Sequence, residues 1–95
     1  MFVVLLRFAA NRAAAPRLMD GHNAWLRKGF DEGSFLLAGG IEPKAGGAIL
    51  ATAASRAEVE ARIAEDPFVA DGVVAAEIIE IAPGRTDPRL AFLAA

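Results

Sequence analysis

Between residues 2 and 8 the chain reads FVVLLRF, with apolar residues on both alternating faces: Phe2, Val4, Leu6 and Phe8 on one, Val3 and Leu5 ahead of Arg7 on the other. A period of two in β-branched and aromatic residues predicts a strand, and apolar residues on both sides predict cover on both sides. From 16 to 32 the spacing changes. Leu18, His22, Trp25, Leu26 and Gly29 recur at helical intervals while Arg17, Asp20, Arg27, Lys28 and Asp31 fall mostly elsewhere, which predicts an amphipathic helix ended near Gly33. Residues 34–38 then read as a second strand running into Gly39-Gly40. Residues 41–46 read as a turn around Glu42-Pro43-Lys44, and 47–53 as a third strand poor in large side chains.

Ser55-Arg56-Ala57-Glu58 has the capping-box pattern and opens a helix through about residue 64. Residues 66–71 add a short helical turn closed by Gly72, and 73–82 form a fourth strand, apolar on both faces apart from Glu77 and Glu80 and bounded by Pro83-Gly84. The order is β-α-β-β-α-β, and two helices can cover only one face of a four-stranded sheet. The expected fold is therefore α+β and ferredoxin-like, a four-stranded antiparallel sheet with both helices on one face. The same face of a second copy is the natural cover for the other side, so a homodimer is expected. Residues 1–95 read as one domain with its core in 2–83. The remaining 84–95 read as a polar link and an apolar tail whose Leu90, Phe92 and Leu93 are expected to be buried, against the body or across the dimer.

Composition supports a partner of this kind: 55% of residues are apolar and 23% charged, more apolar surface than one small core readily hides. A net charge of −2 with few, scattered aromatics excludes nucleic acid. No segment approaches the length of a membrane span, and the opening apolar run lacks a basic region before it and is cut short at Arg7, unlike a secretory signal. A cytoplasmic protein is expected. With no cysteine there is no disulfide framework, thiolate nucleophile or zinc-finger site.

The chemistry centres on the single histidine. His22 lies four residues after Leu18, three before Trp25 and four before Leu26, so it projects from the helix face that meets the sheet. An inward histidine must satisfy its ring nitrogens or cost about 1–3 kcal/mol. It is either a core-edge residue bonded to a backbone carbonyl or half of a functional pair. Asp66, ahead of Pro67, is a natural N-cap worth about 1 kcal/mol. Capping leaves it an oxygen with which to hold an imidazole. A carboxylate beside an imidazole selects its tautomer and raises its basicity, as general acid–base catalysis near neutral pH requires. Nucleophilic catalysis fits poorly, because Ser55 is used as a cap and neither Ser34 nor Thr52 has a motif around it. One histidine without a carboxylate cluster falls short of a metal site, and the Gly39-Gly40 and Gly46-Gly47 pairs lack phosphate-loop spacing and read as tight turns. No metal or cofactor is expected. Arg7, near the end of its strand, is either a contact for an anionic substrate or a solvated strand end.

The ordered set of His22-x-x-Trp25-Leu26 on a helix, Gly33-Ser-Phe-Leu-Leu-Ala-Gly39, Gly47 and its strand, Asp66-Pro67-Phe68-x-x-x-Gly72-Val73 and a strand ending at Pro83 resembles the YCII-related (YciI-like) family over about residues 2–83. The resemblance implies a ferredoxin-like fold of the dimeric α–β barrel kind. It also implies an active-site pair at His22 and Asp66, with Trp25, Gly39 and Phe68 joining Arg7 as candidate substrate contacts. Lyase-like or dehalogenating chemistry on small oxygenated rings is what the family suggests. The short loop between the second and third strands and the longer apolar tail depart from its pattern. The expected function is a small cofactor-free enzyme using His22 and Asp66 for general acid–base chemistry on a small cyclic or carbonyl compound. The alternative is a non-catalytic dimeric module that binds a small ligand or serves as a partner subunit.

Overall fold

The computed structural model describes residues 1–94. Strand β1 (Phe2–Phe8) leads through a 3-10 turn (Arg12–Ala14) into helix α1 (Ala15–Asp31), followed by β2 (Phe35–Ile41), β3 (Gly46–Ala51), α2 (Arg56–Ala64), the single turn α3 (Pro67–Ala70) and β4 (Val74–Glu80). The strands form one antiparallel sheet in the order β2-β3-β1-β4. This is the ferredoxin-like α+β fold, with element types and order as the sequence pattern predicts.

Alternation along β1 sorts the two faces. Phe2, Val4 and Leu6 are buried toward the helices, where Trp25, Phe35, Val59 and Ile63 join them in one core; each such side chain contributes about 1.5–3 kcal/mol by leaving water. Val3 and Leu5 are only half-buried on the opposite face, where the register sets Val3 between Leu50 and Ile79. Among the described residues no helix covers that face.

Helix α1 begins with Pro16 in its first turn and has no side-chain cap. It ends where Gly33 takes φ 76°, a left-handed conformation that glycine adopts without a Cβ penalty, and the Ser34 N–H donates to Gly29 O at 2.9 Å. Gly29 serves close packing: a Cβ there would overlap the Phe35 ring. At α2 the expected cap forms with one shift. The Glu58 N–H donates to Ser55 Oγ at 3.3 Å, but Glu58 Oε2 accepts from the Ala54 N–H at 3.2 Å, one residue earlier than in a strict capping box.

Within the chain, the tail departs from expectation. It forms a short 3-10 segment (Pro88–Ala94) in which Leu90 and Phe92 are 42% and 58% exposed, and Leu93 alone is half-buried. Backbone pairing with the sheet ends at Ile81, whose N–H donates to Met1 O at 2.8 Å, and Pro83 has no N–H with which to continue it. Among the described residues no helix is long and apolar enough to cross a membrane.

Candidate active site

Asp66 stands at the junction of α2 and α3, in an extended conformation (φ −67°, ψ 122°) that suits a cap before proline. Its Oδ1 accepts the Phe68 N–H at 3.0 Å, and the same oxygen lies 2.8 Å from His22 Nδ1. Capping and pairing therefore share one oxygen rather than dividing the two. Oδ2 is buried without a hydrogen-bond partner among the described residues, and Asp66 as a whole is fully buried. The close approach of α1 to α3 makes this contact: at Gly21, next to His22, even a Cβ would come within 3.2 Å of Pro67 Cγ.

An ionised carboxylate can only accept, so Nδ1 is the donor and the neutral ring carries its lone pair on Nε2. The ring plane is held from another side by Phe68, stacked on His22 with centroids 4.1 Å apart and planes 5° from parallel. His22 is 15% exposed, and its ring lines a pocket of about 310 Å³, at the small end of the roughly 300–1,000 Å³ usual for ligand sites. Met19, His22, Asn23 and Leu26 form the α1 wall of that pocket. Leu6, Phe8 and Val74 close the side toward β1 and β4, and short residues of β2 and β3, among them Ala38, Gly39 and Gly47, make the floor.

The expected site residues fall into two groups. His22, Asp66 and Phe68 are in mutual contact, and Gly39 lines the pocket. Trp25 lies behind the site: it is 6% exposed, its Nε1–H donates to Arg62 O at 2.9 Å, and its ring is 5.7 Å from that of His22. It packs the core and does not line the pocket. Arg7 alternates with Val3 and Leu5 onto the helix-free face, where it pairs with Glu77 at 2.7 Å, and it does not line this pocket. Met19, Asn23 and Ala38 escaped the sequence reading. For Met19 and Asn23 the available signal is the 19-22-23-26 stripe, a second helical face overlapping the sheet-facing 18-22-25-26-29 stripe; Ala38, on β2, has none.

A family model, the YCII-related domain, matches residues 1–82. The chain belongs to the YCII-related family. Among solved structures, this YCII-related chain is similar to 5-chloro-2-hydroxyhydroquinone dehydrochlorinase (TftG) from Burkholderia phenoliruptrix AC1100, in complex with 2,5-dihydroxybenzoquinone. The TM-score is 0.70 and the identity 18%, over 88% of this chain and 96% of that one. Likeness at that identity establishes the shared fold. No curated protein sequence matches the YCII-related chain significantly.

Proposed function

We propose that this protein is a small enzyme in which His22 acts as general acid–base and Asp66 orients it, on a small cyclic or carbonyl-bearing molecule, with no cofactor taking part. One observation carries the reading: a fully buried aspartate lies 2.8 Å from the Nδ1 of a histidine whose ring lines a pocket of ligand size. Nε2 is then the nitrogen left to exchange a proton with a ligand. In a dehydrohalogenation, the reaction of the dehydrochlorinase with the same fold, Nε2 would take a proton from a ring hydroxyl or carbon. The electron pair left behind forms a new double bond, the carbon–halogen bond breaks, and halide leaves with its electrons. Asp66 stabilises the imidazolium formed in that step, and the protonated ring returns its proton to water.

Halide release from chlorinated hydroquinones, and turnover of small lactones and quinones, tests the reading with wild type and His22→Ala. Acid–base catalysis of this kind contributes about 10²–10⁴-fold, so the variant should lose activity by that factor while keeping its fold. Equal turnover by the two proteins rejects the role of His22.

We propose also that a second copy covers the helix-free sheet face. Leu37 and Ile79 are 58% and 40% exposed there, beside half-buried Val3, Leu5 and Leu50, and an apolar sheet face of this kind is typical of obligate interfaces. Light scattering should give twice the chain mass at micromolar concentration. A monomer mass refutes the assembly.

A further inference from the structure

We infer that the pocket selects uncharged, flat rings and that Asn23 is the specificity residue that sets how they lie, an inference that rests on placing the reacting pair at His22 and Asp66. The first ground is charge. Among the described residues, His22 and Asn23 are the polar side chains of the pocket lining, which includes no lysine, arginine, aspartate or glutamate. Arg12, the cation associated with the Phe8 wall, has its guanidinium 4.0 Å from the Phe8 ring centroid and does not itself line the pocket. Behind the histidine, Asp66 is buried with one oxygen unpartnered. If the imidazole is protonated, Asp66 neutralises it; if the imidazole is neutral, the pair carries a net negative charge. In neither state does the pocket offer net positive charge to an entering carboxylate or phosphate, which would lose its hydration without compensation.

The second ground is the shape of the floor. The register pairs Ala38 with Ile49 and Gly47 with Leu6, and Ile49 and Leu6 point toward the helices, so the Cβ directions of 38 and 47 also face the pocket. A Cβ built at Gly47 meets only Gly39 O, at an ordinary 3.5 Å, so packing does not demand glycine there. What its absence provides is a patch of nearly bare strand on which a ring can lie face down. Asn23 follows His22 on the α1 wall and offers a donor and an acceptor to the edge of such a ring. Two polar groups on one wall above an apolar floor orient a ring bearing two oxygens, with one oxygen at Nε2 and the other at the Asn23 amide.

Amide NMR titration with three matched probes tests this: resorcinol, benzoate (an anionic ring) and cyclohexane-1,3-diol (the same hydroxyls on a non-planar frame). Resorcinol should shift the amides of Met19, Asn23 and Gly47 and saturate, with the other two at least ten-fold weaker. Asn23→Leu should weaken resorcinol about ten-fold, the scale of one hydrogen bond to a desolvated partner, and leave benzoate and the remaining spectrum unchanged. Benzoate binding as tightly as resorcinol, or no saturation by any probe, overturns the selection, and equal resorcinol affinity in Asn23→Leu overturns the role of Asn23. Binding is read without turnover. Selective binding by a protein that turns nothing over supports this inference and removes the acid–base reading, whereas turnover of anionic rings, with benzoate bound best, supports that reading and overturns this inference.

Discussion

The two halves of α1 face the same sheet and do opposite things. Toward its C-terminal end, Trp25 and Gly29 press onto Phe35: the Trp25 and Phe35 rings meet edge-on at 5.1 Å, and Gly29 leaves no room even for a methyl group. Toward its N-terminal end, Met19, His22 and Asn23 stand over Ala38 and Gly47 and leave about 310 Å³ open. The difference lies in where the small residues sit. A glycine on the helix, opposite a large ring on the sheet, closes the gap; small residues on the sheet, opposite medium-sized ones on the helix, leave it open. One half stabilises the protein and the other leaves it a pocket.

Breaking the closed half should have the largest effect. Gly29→Val forces a branched side chain into the Phe35 ring, and overpacking of this kind costs about 1–3 kcal/mol or more; calorimetry should show a clear fall in melting temperature. A melting temperature like that of wild type would mean the contact yields easily.

The pair beside the open half comes next. Asp66→Ala removes both the cap and the partner of a part-buried imidazole, at an expected cost of about 1–2 kcal/mol in chemical denaturation. Asp66→Asn keeps the cap, since asparagine caps about as well, but its amide can donate to Nδ1 as well as accept from it. Nitrogen NMR of the single histidine should then show a mixture of tautomers in Asp66→Asn and Nδ1–H alone in wild type at high pH. Identical ring-nitrogen shifts in the two would reduce Asp66 to a cap.

Filling the open half should have a smaller effect of opposite sign. Ala38→Leu places apolar volume over the floor, and cavity filling commonly adds about 0.5–2 kcal/mol; stability should rise as resorcinol binding is lost. A loss of stability would show that the space is too shallow for the added side chain.

The smallest effect is expected in the largely exposed tail. The Arg89 guanidinium, and after it the Arg89 N–H, hold the Asp87 carboxyl below its ordinary value of 3.8. A carboxyl whose folded value is depressed contributes stability that is present above the unfolded value and lost as pH falls through the folded one. Because the pair is solvent-exposed, Arg89→Ala should raise the Asp87 midpoint seen by carboxyl carbon NMR, while the melting temperature at neutral pH stays put. A drop at neutral pH would tie the tail to the body more closely than its exposure suggests.

Much of this protein was legible in its pattern of residues because the deciding interactions are local or periodic. Alternation in 2–8, the helical stripe of 16–32, Ser55 with Glu58, and Asp66 before Pro67 each specify an element through backbone geometry and side chains within a few positions, and the order of those elements leaves few ways to cover a sheet. The histidine's inward direction followed from the same periodicity. Tertiary structure alone decided which inward residues are sealed and which line a pocket, because that depends on which side-chain volumes helix and sheet bring face to face, as they do Gly29 with Phe35 and His22 with the distant Gly47. It also decided that Trp25 lies behind the pocket and not in its wall, that Arg7 pairs with Glu77, and that one oxygen of Asp66 serves both Phe68 and His22. These are outcomes of register and close approach, and no spacing along the chain encodes them.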